Sequence, residues 1–417
     1  MVQRRRVVIT GLGIISSIGH TYEEVVANLR QGTSGVHEVP MWKELGFPST
    51  VAGRFGDVSD KIATCGFKKR QLAFASDAAL LAVLAAKDAI TAAGIDDVDL
   101  HSPRVGCIVG SGVGGLLAIF NGAEMVYSKQ IRRVNPYTVC HAMSSSCSAS
   151  LANIFGIKGR SYSISSACAT STHNIGHAYE LIRDGVLDLS LSGGAEELNE
   201  LIAGAFCAMR MALSSQFNDT PGKASRPYDK DRDGFVISGG GGIVILEELE
   251  RALARGANIY AEVLGFAANS EGGTMIFPES EGLQTASCMS GALQCADLSP
   301  GDITYINTHG TGTQQGDLAE INGIRRVFGD NLPHVSSTKS MTGHAIGASG
   351  VHEVIYCIGM LQHKFLAPSI NIENLDPAFD GIPIVRQTTP ENVNVVMTNS
   401  LGFGGTNATL ILGKFQP

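Results

Sequence analysis

The sequence contains no run of about 18 apolar residues, the length a helix needs to cross a bilayer, so no membrane span is expected. It also lacks any C-x-x-C pair. Nine cysteines, an odd number, are scattered over 417 residues. A chain of this length needs no covalent staples, so reduced thiols and a cytoplasmic home are expected. A basic excess is missing too. The formal net charge is −8, which argues against a nucleic-acid face as the main business of the chain. Charged residues make up only 17% and hydrophobic residues 44%, a balance that supports a substantial core and excludes global disorder. The opening "MVQRRRVVITGLGIISSIG" imitates a signal peptide, with basic residues before an apolar run. That run is β-branched, is broken by Gly and Ser, and has no clear small-x-small cleavage site. It reads as a buried first strand.

What is abundant is glycine, 50 residues in short clusters between apolar runs. Such clusters imply tight turns and close backbone approaches. "RVVITG", "RVGCIVGSG", "LDLSLSGG" and "GGIVILEE" read as strands. Ser76 is placed to cap a helix, "DAALLAVLAAKDAITAA", which Gly94 ends, and "YELIRDG" closes another at Gly185. A further helix is expected from Tyr137 to Phe155. The alternation predicts α/β architecture with sheets buried between helices. "SYSISSACATSTHNIGHAYELI" and "PHVSSTKSMTGHAIGASGVHEVIYCIGML" share one pattern of short strand, small-residue turn and helix. Two related halves are therefore expected, residues 1–255 and 256–417, meeting where a charged helix passes into a fresh strand.

Two motifs mislead. Gly110, Gly112 and Gly115 match G-x-G-x-x-G after a strand, but no acidic residue ends a following strand at the dinucleotide distance. Asp229, Asp231, Asp233 and Gly234 open like a calcium loop, yet its twelfth position is Gly240 rather than Glu. A loop anchored by Arg226, Asp229, Arg232 and Asp233 is the expectation instead.

Chemistry concentrates around Cys168, in "SISSACATSTHNIG". It stands between a strand and a helix, where free backbone N–H groups and the positive end of the helix dipole favour thiolate. Small neighbours let a substrate reach the sulfur. Cys147 in "SSSCSAS" is the rival nucleophile, but falls inside the helix expected over 137–155. "YINTHGTGTQQGDLAE" sets His309 just after an apolar strand, and "SSTKSMTGHAIGASG" sets His344 among glycines, five residues after Lys339. "SLGFGGTNATLIL" offers glycine-rich backbone that can donate N–H groups to an oxyanion.

Together "SSACATS", "NTHGTGT", "STKSMTGHAIGASG" and "NSLGFGGTNATL" resemble the β-ketoacyl-acyl-carrier-protein synthases, condensing enzymes of the thiolase superfamily. The likeness is to the type I elongating enzymes and runs nearly end to end. It implies thiolase-like duplicated βαβαβαββ halves in a five-layered αβαβα arrangement, and a homodimer. It implies Cys168 as acyl acceptor, His309 and His344 as catalytic pair, and Lys339 and Glu320 as supporting polar residues. Thr311 and Thr313 are implied to bind the pantetheine arm, and the N–H groups of Cys168 and Phe403 to form the oxyanion hole. Lys68, Lys69, Arg70 and Arg132 match positions where relatives dock the acidic acyl carrier protein. No metal or other cofactor is implied beyond the carrier's phosphopantetheine. Leu401 stands where the family commonly has Phe at the gate of the acyl pocket, and "HGTGT" replaces "HGTST". Ala73 occupies a place where some relatives have Arg. The implied activity is decarboxylating condensation in fatty-acid elongation, with a specialised polyene or polyketide pathway as the alternative. A non-catalytic partner subunit would have lost the cysteine, and a coenzyme A thiolase is disfavoured by the paired histidines.

Overall fold

A computed structural model of the chain describes residues 4–209, 212–273 and 275–416. Ten strands carry the fold. In chain order they are β1 Val7–Ile15, β2 Val105–Gly110, β3 Ser161–Tyr162, β4 Leu189–Glu196, β5 Gly240–Glu248, β6 Ala261–Ser270, β7 Tyr305–Asn307, β8 His334–Ser336, β9 Val395–Gly402 and β10 Thr406–Gly413. All nine residues of β1 are buried, as its β-branched run demands of a strand covered on both faces. The strands run in the order β8-β7-β9-β10-β6-β1-β5-β4-β2-β3. Each half thus repeats one pattern outward from the β1–β6 seam, where the two strands pair antiparallel. In each half the first strand lies at the seam, the fifth and fourth follow, and the second and third lie outermost.

The helices repeat as well. They are α1 Asp77–Ala93, α2 Ser146–Phe155, α3 Thr170–Arg183, α4 Leu283–Ala296, α5 Gln314–Phe328 and α6 Ser349–His363. Helices α1 and α2 cover one half-sheet, α4 and α5 the other, and α3 and α6 lie between the two, which gives five layers. The two central helices touch closely: a Cβ on Gly350 would meet the Thr172 hydroxyl at 1.9 Å, so no larger residue fits that crossing. Ser76 caps α1 by accepting from the Ala79 N–H at 3.2 Å, and Gly94 ends it at φ +63°. No helix among the described residues is long and apolar enough to cross a membrane.

The helix expected over 137–155 is instead two, Thr138–Ala142 and α2, broken by extended backbone at Met143. Cys147 therefore sits in the first turn of α2 rather than mid-helix.

Candidate active site

Cys168 lies in a 3-10 turn, Ala167–Ala169, that feeds directly into α3. The turn opens with Ala167 at φ +49°, and Ser166 N–H is held by the Thr170 hydroxyl at 2.9 Å. Cys168 is 7% exposed. Burial pushes its thiol up to about 12, while the N–H groups of Phe403 and of Cys168 itself, and the Lys339 charge, pull it back. Desolvation is thus the largest influence on this thiol and opposes the thiolate that a helix start favours. Cys147 has a helix start too, but it is fully buried, burial raises its thiol further, and it lines no cavity with the histidines.

Both histidines come from the other half of the chain. His309 follows β7. Its backbone N–H and that of Gly310 donate to the two Glu320 carboxylate oxygens, each at 2.9 Å. His344 follows a short helix, Lys339–Thr342. Its N–H donates to Val236 O at 2.7 Å and its carbonyl accepts from Ser238 N at 2.9 Å. The two rings stand 5.2 Å apart and perpendicular. Burial holds both imidazoles well below the usual histidine range, and the nearby Lys339 charge acts in the same direction. Both are therefore neutral near pH 7. His344 Nδ1 lies 2.8 Å from the Ser349 hydroxyl, whereas its Nε2 is buried without a partner, as is His309 Nδ1.

A cavity of about 500 Å³ joins these groups. Cys168, His309, His344, Thr311, Thr313, Leu401 and Phe403 all line it. Thr311 and Thr313 hydroxyls lie 3.1 Å apart. Phe403 occupies the tight turn between β9 and β10, where Gly404 and Gly405 both take positive φ. The apolar wall is supplied by Phe206, Phe235, Ile276 and Phe277, none of which stands out in the sequence.

Lys339 and Glu320 are buried behind the cavity rather than in its wall. Lys339 forms an ion pair with Glu353, a residue the sequence reading missed. Burial raises the Glu353 carboxyl and the lysine charge pulls it back. The signal was available: Glu353 is a lone acid in the mostly apolar "VHEVIYCIGML". Glu320 serves a different purpose, binding two backbone N–H groups and the Asn399 amide at 3.1 Å. Lys68, Lys69, Arg70 and Arg132 are exposed and line no part of the cavity.

The misleading motifs also find their explanation. Glu196, fully buried at the end of β4, accepts from the Ser111 hydroxyl at 2.6 Å and from the N–H groups of Gly112, Val113 and Gly347 at 2.8, 3.2 and 3.0 Å. The glycine loop thus holds a protein carboxylate in place of a phosphate. Asp229 binds Arg226 at 3.1 Å and the N–H groups of Asp231 and Asn374, each at 2.8 Å. Asp233 accepts from Ser215 and Gln216 N–H groups at 2.8 and 2.9 Å.

Residues 4–252 match the N-terminal domain of beta-ketoacyl synthase, and residues 260–373 match its C-terminal domain. The chain is 49% identical to 3-oxoacyl-[acyl-carrier-protein] synthase 1 of Escherichia coli strain K12, over 99% of this chain and 100% of that one. It superposes on a beta-ketoacyl synthase from Burkholderia phymatum with a TM-score of 0.93 at 33% identity, covering 99% and 100% of the two chains. A ketosynthase bound to a hexaketide, in complex with a type II PKS acyl-carrier protein, gives 0.90 at 30% identity, covering 99% and 100%. With Cys168 on a turn in one half, two imidazoles beside it from the other and these likenesses over the whole length, the chain belongs to the beta-ketoacyl synthase family.

Proposed function

We propose that the chain elongates acyl groups by condensing an acyl-enzyme thioester with malonyl-acyl-carrier protein, giving 3-oxoacyl-acyl-carrier protein and CO2 in fatty-acid synthesis. The observation that carries this reading is convergence: two neutral imidazoles and a sulfur faced by two backbone N–H groups open onto one cavity. Cys168 sulfur attacks the incoming thioester carbonyl, its proton leaves with the carrier thiol, and the acyl group is held on the enzyme. A malonyl thioester then loses CO2. The electron pair of the broken C–C bond becomes an enolate, whose oxygen His309 and His344 stabilise by donating N–H. That carbon attacks the acyl-Cys168 carbonyl, the N–H groups of Cys168 and Phe403 hold the tetrahedral oxyanion, and the cysteine sulfur leaves. Every electron pair in these steps comes from the substrates or from Cys168, so no metal or redox cofactor enters the balance.

Thr311 and Thr313 hold the pantetheine arm at the polar end of the cavity, and Leu401 bounds the acyl end. Lys339, paired with Glu353, and Glu320 keep the histidine loops in place. Lys68, Lys69, Arg70 and Arg132 dock the acidic carrier. We read the chain as two halves, 1–255 and 256–417, and as a cytoplasmic homodimer. An exposed apolar groove beside Ile119, Val126, Val139 and Met143, together with the open sheet edge at β3, supports a second copy as its cover.

Intact-protein mass spectrometry after incubation with a mixture of acyl-carrier thioesters tests the reading. An acyl adduct is expected on the wild type and none on Cys168→Ala. An adduct that persists on the alanine variant overturns it.

A further inference from the structure

We propose that Ser349 is a positioning residue that fixes the tautomer of His344, so that Nε2 carries the proton and faces the cavity as a donor. This rests on the reading above, in which His344 donates to an enolate-like oxygen. Ser349 is the first residue of α6 and is 4% exposed. Its hydroxyl lies 2.8 Å from His344 Nδ1. The His344 backbone is tied on both sides to residues 236 and 238, and its ring packs edge-on against Phe235 at 5.4 Å. The ring thus has a set place, and what is left to determine is which nitrogen holds the hydrogen.

A neutral imidazole has one donor and one acceptor nitrogen. If the serine hydroxyl donates to Nδ1, the hydrogen must sit on Nε2, the nitrogen that is buried and unpartnered in the free enzyme. The opposite tautomer would direct an Nε2 lone pair at a developing negative charge. It would also strand the serine's own buried hydrogen, because Nδ1 is its one side-chain hydrogen-bond partner among the described residues. Among the described residues His309 has no such device, its Nδ1 being buried without a partner, so no side-chain bond fixes its tautomer as Ser349 fixes that of His344. The two histidines therefore differ: one enters the reaction with its proton already placed by a side-chain bond and the other does not. Which ring nitrogen is protonated is decided by the bond the other makes, and here that bond comes from the first turn of a central helix. The Lys339 charge acts on His344, and His309 and Cys168 share its cavity; among the described residues none of these bonds to Nδ1, whose partner is Ser349.

Protein carrying nitrogen-labelled histidine, compared with Ser349→Ala, Ser349→Thr and His344→Gln variants, tests this. The His344 signals, assigned by their loss in His344→Gln, are expected to show Nε2 protonated in the wild type. Ser349→Ala should shift the tautomer balance and slow malonyl decarboxylation roughly 10- to 100-fold, while Cys168 acylation stays within about twofold. Ser349→Thr, which keeps the hydroxyl, should restore decarboxylation. A wild-type His344 protonated on Nδ1 overturns the proposal, and so does normal decarboxylation by Ser349→Ala. So does an equal loss of both half-reactions, which would mark a merely structural serine. Should Ser349→Ala not fold, the wild-type tautomer decides. Normal decarboxylation by His344→Gln would instead refute the role given to His344, a result distinguishable from failure at Ser349.

Discussion

Ala167 and Ile346 hold the same left-handed backbone conformation, φ +49° and +48°, one in each half of the chain. Each opens a 3-10 turn that runs into a central helix, Ala167–Ala169 before α3 and Ile346–Ala348 before α6. A non-glycine residue there costs about 1–2 kcal/mol, so the surroundings must hold both turns. The Glu196 carboxylate binds the second turn and the glycine loop beside the first. A Cβ on Gly112 would lie 2.9 Å from Glu196 Oε2 and 3.0 Å from Ala167 O. Gly112→Ala is therefore expected to destabilise the fold by about 1–3 kcal/mol and to slow Cys168 acylation. Urea unfolding and the time course of the acyl adduct measure the two effects. Wild-type behaviour in both would show that the loop has slack.

Glu353→Gln removes the carboxylate paired with the buried Lys339 ammonium. A loss of about 3–5 kcal/mol in stability is expected. The double variant Lys339→Met/Glu353→Leu should regain much of that stability without regaining decarboxylation. A double variant no more stable than Glu353→Gln in urea unfolding would contradict the account of this pair.

Both histidines titrate well below the ordinary range because burial disfavours their charged forms. Their neutral forms, the ones the proposed chemistry uses, are lost only as pH falls below those lowered values. Malonyl decarboxylation by Cys168→Gln, which keeps the histidines and removes the nucleophile, is thus expected to vary less than about twofold between roughly pH 6 and 8. An inflection near the ordinary histidine value would mean that one ring is more hydrated than its burial implies.

Lys68→Glu/Lys69→Glu reverses two exposed charges remote from the cavity wall. KM for carrier-bound substrate should rise several-fold at low salt and approach the wild-type value at high salt, with kcat little changed. An unaltered KM in steady-state assays would move the docking surface elsewhere.

Leu401→Phe adds an aromatic ring to the cavity wall. The distribution of adducts formed from mixed acyl thioesters should shift towards shorter chains, read directly from intact mass. An unchanged distribution would remove Leu401 from the acyl boundary.

The strands and the capped helix α1 were legible because each signal is local: a β-branched run, a serine cap, a terminating glycine. The three side chains that meet in the cavity, Cys168, His309 and His344, were legible because each stands among unusually small neighbours. The partners of those side chains were not. Glu353 meets Lys339 from the next helix, and Ser349 meets His344 across a turn whose geometry rests on a left-handed isoleucine that no propensity forecasts. The break at Met143 escaped notice because "CHAMSSSCSAS" carries neither Gly nor Pro to mark it. The thiol's upward shift was invisible for the same reason: the sequence shows the helix start, and only packing shows how little water remains beside it.

The matching turns divide their labour unequally. Where one presents Cys168, its counterpart presents Gly347, whose bare N–H meets Glu196 and whose absent Cβ would fall 2.4 Å from Gly112 N. The doubled architecture leaves no room for a doubled nucleophile. With Cys168 as the acyl carrier proposed above, each polypeptide is expected to take up a single acyl equivalent at saturation, however symmetrical its scaffold.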